Sequence, residues 1–312
     1  VNDRAALVAH ARDTIVRGSK SFAAASRLFD RQSRERVWLL YAWCRTCDDI
    51  ADAQEMGGAL GDQSGLVERV ATIRDLTARA FAGQETGEPS FDALGLLARE
   101  VPITQAMASD VVAGFELDAA DWRPRTAADL LRYCYHVAGA VGVMMAAVMG
   151  VPAKDEDTLD RACDLGLAFQ LANIARDVAE DDAAGRCYLP QEWLDEACIA
   201  PGEVMQPHNR AALVSLVARL CDMAGQYEAS ARIGAARLPF RQRWAILSAA
   251  GIYGAIAREV RARGAQAWDL RVHTGKARKL GFVVRALGQC LARPSQVSKP
   301  QWSRRELARL AG

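Results

Sequence analysis

Apolar residues recur at three- and four-residue spacing through most of the 312-residue chain, and no segment alternates with a period of two. The pattern predicts helices at 4–16, 19–27, 32–54, 64–82, 90–100, 103–119, 127–150, 156–181, 208–236, 240–263 and 276–292. All ten prolines fall between these segments, where helix ends belong. The expected fold class is therefore all-α. No repeat or composition-shifted linker divides the chain. One helical domain over 1–295 is expected, followed by a basic C-terminal tail over 296–312. The longest apolar run, Val137–Val151, is 15 residues, against the roughly 20 needed to span a bilayer. It reads as a buried core helix.

Two of these helices carry polar stripes. Tyr41, Arg45, Asp48 and Asp52 are spaced 4, 3 and 4 residues apart on an otherwise apolar segment. Gln170, Asn173, Asp177 and Asp181 are spaced 3, 4 and 4 apart on another. Each spacing puts its four residues on one helix face. Such a stripe on an apolar helix points into an internal site rather than bulk water. Aspartates at i and i+4 repel one another, and burial sharpens the repulsion. A cation relieves it. The available ligands are oxygens, which select Mg²⁺ or Mn²⁺ over zinc or copper. Mg²⁺ binds through a few carboxylates and shares its shell with substrate phosphates. Arg45, Arg176 and the helix-opening Ser19-Lys20-Ser21 suit a diphosphate. There is no P-loop sequence, and none of the four histidines (10, 136, 208, 273) lies in a stripe.

Composition adds exclusions. Net charge is +1 with 25% charged residues, so bulk charge gives no sign of nucleic acid as a partner. Eight scattered cysteines and no signal-peptide pattern suit reduced thiols in the cytoplasm. Cys44 and Cys47 form a C-x-x-C without the strand context or second pair that redox or zinc chemistry needs. Residues 271–312 carry ten Lys or Arg against one acid, Glu306. This stretch is either a solvated surface or an attraction to anionic membrane.

At these motifs the chain resembles the head-to-head prenyl synthases, the family of squalene, dehydrosqualene and phytoene synthases. Asp48-Asp-Ile-Ala-Asp52 is similar to the first acidic motif of its phytoene-forming members. Gln170 to Asp181, with Gly185-Arg-Cys-Tyr-Leu-Pro190, is similar to the second. Ser19-Lys-Ser-Phe22 and Tyr133-Cys-Tyr-His-Val-Ala-Gly-Ala-Val-Gly142 match two more family stretches. The resemblance spans roughly residues 15 to 290.

The resemblance implies an isoprenoid-synthase helical bundle around a central apolar cavity. It implies three Mg²⁺ (or Mn²⁺) ions held by Asp48, Asp52, Asn173, Asp177 and Asp181. Diphosphate contacts are implied for Ser19, Lys20, Ser21, Arg45 and Arg176, with Tyr41, Phe22, Gln170 and Tyr253 near the substrate. Tyr133, Val137, Val141 and Gly142 would line the cavity, and Gly139 and Gly142 would let a polyene approach the backbone. Arg186 and Tyr188 would close a second diphosphate site. The implied reaction joins two C20 prenyl diphosphates through prephytoene diphosphate to phytoene, without NADPH. Small residues after Phe22 (Ala23 to Ser26) suit a C20 tail, or simply a good helix. A C15-using relative and a terpene cyclase are the alternatives. Oligomeric state is not legible.

Overall fold

The structure is a computed structural model. It describes all residues except Val1, Asn2, 57–60, Gln63, 293–301 and 310–312. The side chains of Lys20 and Ser21 also lie outside the description, although their backbone is helical. The described residues form helices and contain no strand. In chain order these are α1 Arg4–Gly18, α2 Lys20–Ser26, α3 Arg31–Ala51, α4 Leu66–Phe81, α5 Pro89–Glu100, α6 Gln105–Ala119, α7 Ala127–Cys134, α8 Ala140–Val148, α9 Glu156–Ala183, α10 Gln191–Glu196, α11 Arg210–Ala235, α12 Phe240–Arg263, α13 Lys276–Gln289 and α14 Arg304–Arg309.

The expected helices are present, and their starts follow capping chemistry. Asp30 accepts from the Ser33 amide at 2.9 Å to open α3. Thr126 and Asp129 form a reciprocal capping box at α7. Pro89 sits in the first turn of α5, where its missing N–H costs nothing. The short helices α10 and α14 fall where periodicity gave no signal, because six residues are too few to display one.

Tertiary structure departs from the expected unbroken helix 127–150. Between α7 and α8 the chain forms a π-helical turn, Tyr135–Gly139. Such bulges cost regular hydrogen bonding and concentrate at functional sites. The helical stretch Ala127–Val148 is 22 residues and apolar enough to cross a membrane by length, but 67% of its most apolar window is buried. It reads as a core helix.

The chain divides into two compact units, where one domain was expected. Unit 1 comprises residues 1–120 and 143–156, and unit 2 comprises 121–142 and 157–312. One break falls inside α8 and another at the start of α9, so no linker composition marks them. Unit 1 packs α3 against α1 and α5, around fully buried Trp43, Leu39, Leu40, Ile15 and Phe91. At its rim Arg4 bridges Glu35 and Glu100 at 2.8 and 2.7 Å, and Arg36 adds a second bond to Glu100.

Unit 2 is organised on α9. Glycines let the π turn and α8 close directly on it. A Cβ on Gly166 would stand 2.2 Å from the Ala138 carbonyl oxygen, and one on Gly142 would stand 2.4 Å from that of Ala162. On another side, a buried network ties α9 to α11. Ser230 donates to Asp164 at 2.5 Å and receives Arg161 at 3.1 Å. Glu228 of α11 is buried and clasped by Arg232 and by Arg258 of α12. These bonds satisfy charges that would otherwise be costly inside the protein. They also leave α9 little freedom to rotate, which fixes the direction of its polar stripe.

Residues 302–309, expected in the basic tail, are drawn into unit 2. Leu307 is fully buried, and Arg304 pairs with Asp160 at 2.5 Å.

Candidate active site

In unit 1 the site begins where α1 hands over to α2. Ser19 caps α2, its hydroxyl accepting from the Phe22 amide at 3.2 Å. Gly18 is required there, since a Cβ would lie 2.6 Å from the Tyr41 hydroxyl. The close approach stacks Phe22 on Tyr41, with ring centroids 5.6 Å apart. One turn along α3, the Arg45 guanidinium lies 6.0 Å from the Tyr41 ring centroid. It stands 3.7 Å from Asp48 and 3.9 Å from Asp49. Ser19, Phe22, Tyr41, Arg45 and Asp48 are thus gathered along one path. The side chains of Lys20 and Ser21 are the exceptions, lying outside the described residues.

Two atoms in this cluster are conspicuous. The Tyr41 hydroxyl and Arg45 Nε are buried and lean on each other without a well-formed hydrogen bond among the described residues. Leaving a buried polar group unpaired costs about 1–3 kcal/mol. Such atoms suit a ligand that supplies acceptors, as a diphosphate would.

α3 ends at Ala51, earlier than the predicted 54, because Ala53 and Met56 adopt left-handed backbone. Asp52 is therefore the helix's C-terminal cap rather than an interior residue. Asp48, Asp49 and Asp52 crowd the carboxyl end of the helix, where the dipole is already negative. Burial pushes the Asp48 carboxyl up to about 7, with Asp52 and Asp49 adding and Arg45 opposing. The side chain keeps 44% of its surface accessible, so a ligand can reach the carboxylate.

Unit 2 repeats the device. Asp177 and Asp181 lie in the last two turns of α9, which has no basic residue in its final turn. Arg176 donates to Asp177 at 2.7 and 2.5 Å. Arg271, from the segment between α12 and α13, donates to the same carboxylate at 3.1 and 2.9 Å. That segment is pinned to α9 by Trp268, whose indole donates to the Ala175 carbonyl at 3.1 Å. Sequence reasoning missed Arg271; it lies 94 residues from Asp177, and no local spacing joins them. Asn173 Oδ1 is buried without a partner among the described residues, as a ligand awaiting a cation would be.

Two aromatic groups complete this unit. Tyr133 stacks on Tyr188 at 4.7 Å and on Trp122 at 5.9 Å. Arg186 follows closely in chain, its amide bonded to the Asp181 carbonyl at 2.8 Å. Tyr253 stacks at 4.2 Å on Phe169, the neighbour of Gln170 and another residue the sequence reading passed over. Val137 lies on the π turn and Val141 one turn on, both half-buried.

One expectation needs correcting. Gly139 and Gly142 were expected to admit a polyene. Instead, the position of a Cβ on Gly139 is 2.9 Å from Cys163 Sγ, and that on Gly142 is against the Ala162 backbone. Their lack of a side chain serves helix packing.

Among the described residues, no three His, Cys, Asp or Glu side chains converge closely enough to hold an ion by themselves. The residues nonetheless fit Mg²⁺. The donors are hard oxygens, one is an orphaned buried carbonyl, and both carboxylate pairs sit at negative helix ends. Mg²⁺ commonly completes its shell with water and substrate phosphate. Cys44 and Cys47 carry free thiols on α3, and burial pushes both upward. They are inert packing.

Helices throughout the described residues, with paired acidic motifs at helix carboxyl ends and a buried guanidinium and phenol beside one of them, fit a helical isoprenoid synthase. Comparison with known proteins makes this specific. The chain belongs to the squalene/phytoene synthase family, whose model matches residues 15–278. It is 48% identical over 287 residues to a phytoene synthase of Pseudescherichia vulneris, covering 91% of this chain and 92% of that protein. It is 44% identical over 297 residues to a 15-cis-phytoene synthase of Pantoea ananas, covering 95% and 96%. Among solved structures, a ligand-bound dehydrosqualene synthase superposes with a TM-score of 0.80 at 26% identity, covering 91% of this chain and 96% of that one.

Proposed function

We propose that this chain condenses two geranylgeranyl diphosphates head to head, through prephytoene diphosphate, to phytoene with release of two diphosphates. The observation that carries the reading is its 44–48% identity, over nearly full length, to bacterial proteins named phytoene synthase. The structural likeness to a dehydrosqualene synthase keeps a C15 substrate as the competing reading, at a lower identity of 26%.

Asp48, Asp52, Asn173, Asp177 and Asp181 would hold Mg²⁺ or Mn²⁺, which withdraws charge from a departing diphosphate. Arg45 and the Tyr41 hydroxyl, without well-formed bonds at Nε and Oη, offer hydrogen bonds that strengthen as negative charge gathers on the leaving oxygens. Arg176 and Arg271 serve the same end beside Asp177. The Ser19 cap orients the amino end of α2, whose free N–H groups suit an anion. An allylic cation must be kept from water. The apolar α7–α8 stretch, with Val137 and Val141, is suited to be a dry wall, and Tyr133, Tyr188, Phe169 and Tyr253 present π faces that stabilise cations. NADPH has no part in this reaction, since no reduction step occurs. Eight free cysteines support a reducing, cytoplasmic setting, and the hydrocarbon product supports a position at the membrane surface.

Purified full-length protein given labelled C20 or C15 diphosphate with Mg²⁺ tests the reading. Phytoene, with two diphosphates released per product, is expected from C20. Turnover of C15 alone would sink it in favour of the competing reading, and one substrate consumed per product would indicate a cyclase.

A further inference from the structure

One face of α13 is apolar and uncovered among the described residues. Leu280, Val284 and Leu287 are 64, 63 and 39% exposed, and Leu291, in the turn just past the helix, is 83% exposed. At about 100° per residue, the three helical residues fall within an arc of roughly 60°. The other side of α13 is fully engaged with α12. Phe282 lies against Gly251, the Trp244 indole donates to the Val283 carbonyl at 2.8 Å, and Arg278 pairs with Glu259 at 2.9 Å. Ala286 and Cys290 are buried with Leu247 and Ala235. The helix is therefore anchored by one face and presents the stripe on the other. Single exposed apolar residues need no explanation, but three in register, with Leu291 following them, form a patch that does.

Charge identifies what the patch fits. α13 carries Lys276, Arg278, Lys279 and Arg285 and no acid. Leu270, 77% exposed, and Arg271 precede it. An apolar stripe bordered by cations on one helix is the pattern of interfacial membrane helices. A second copy of the chain is disfavoured as occupant. Pairing two such faces would bring Lys276 and Arg285 of each copy together with no acid supplied by either helix. The basic tail is a weaker candidate than sequence suggested, because Arg304 is paired and Leu307 buried within unit 2.

We infer that the outer face of α13 seats this protein on an anionic lipid bilayer, leucines in the acyl boundary and Lys276 and Arg285 among the headgroups. The inference rests on the proposed function only for its motive, a hydrocarbon product that must leave into lipid. Its structural support is independent.

The test is co-sedimentation of the full chain with vesicles of phosphatidylglycerol and phosphatidylcholine, without substrate. Binding is expected, falling at least about tenfold on pure phosphatidylcholine or in high salt. The triple substitution Leu280→Ser, Val284→Ser, Leu287→Ser should lower binding about tenfold or more while leaving the melting curve unchanged. The pair Lys276→Glu and Arg285→Glu should lower it on anionic vesicles only. Binding by the triple variant equal to the parent would overturn the inference. So would sedimentation velocity revealing a dimer that these substitutions dissolve. Detergent-presented C20 turnover, measured separately, is expected to be the same for parent and triple variant. Its absence in the parent would strike the proposed function and leave the vesicle result standing.

Discussion

Arg271 grips the Asp177 carboxylate through Nε and Nη2 at 3.1 and 2.9 Å, from a segment 94 residues away in sequence. Arg176 holds the same carboxylate from its own helix. One acid of the second motif thus has two cationic partners, and the Trp268–Ala175 bond keeps the outer one in place. Arg271→Ala should lower kcat/KM at least about tenfold, because the charge-assisted contact that holds the Asp177 carboxylate in place is lost. Arg271→Lys should restore only part of it, since lysine cannot make the two-pronged contact. Steady-state diphosphate release, with circular dichroism as a folding control, measures both.

Asp48→Asn and Asp177→Asn should each abolish Mg²⁺-dependent diphosphate release, by about 10²-fold or more, in protein that stays folded. Chelation of the parent should do the same, reversibly on adding Mg²⁺. Full activity in either folded variant would remove the motifs from the chemistry.

Tyr41→Phe separates stability from function. The hydroxyl is buried and has only a poorly formed contact with Arg45, so its removal costs the fold little. The variant should melt at the same temperature or higher, yet turn over more slowly. A lower melting temperature would mean that the hydroxyl has a structural partner.

Gly166→Ala should destabilise by about 1–3 kcal/mol, because its Cβ would meet the Ala138 carbonyl oxygen at 2.2 Å. Gly225→Ala on α11 is the control. A Cβ there meets nothing within 4 Å, and alanine gains up to about 1 kcal/mol of helix propensity. Denaturant midpoints should move in opposite directions.

Acid should weaken unit 1 through Glu35 and Glu100. The hydrogen bond from Arg4 holds Glu35 below the ordinary glutamate value of 4.5. At Glu100 burial pushes upward, but bonds from Arg4 and Arg36 outweigh it. Both folded-state values are lowered. Their stabilisation is therefore full above the unfolded value and is lost as pH falls through the folded ones. Arg4→Ala should cost about 1 kcal/mol near neutrality and little at the acid end, where the parent has lost the same bonds. Unfolding curves across pH 2–7, a range of about five units, measure the convergence.

Sequence by itself determined the helices, the two acidic stripes and the class of chemistry, because each is written in local spacing. A helix places i, i+3 and i+4 on one face whatever surrounds it, so Tyr41, Arg45, Asp48 and Asp52 were legible as a group. The prolines marked helix boundaries for equally local reasons. Tertiary structure decided what depends on distant partners. The packing of Gly139 and Gly142 against α9 reassigned glycines that looked substrate-facing. The π turn at Tyr135–Gly139 left no mark on the apolar pattern, since one extra residue per turn does not change composition. Arg271 and Phe169 entered the site only by folding, and α14 was drawn from an apparently free tail into the core. Local periodicity fixes which face a residue occupies; only packing fixes what that face meets.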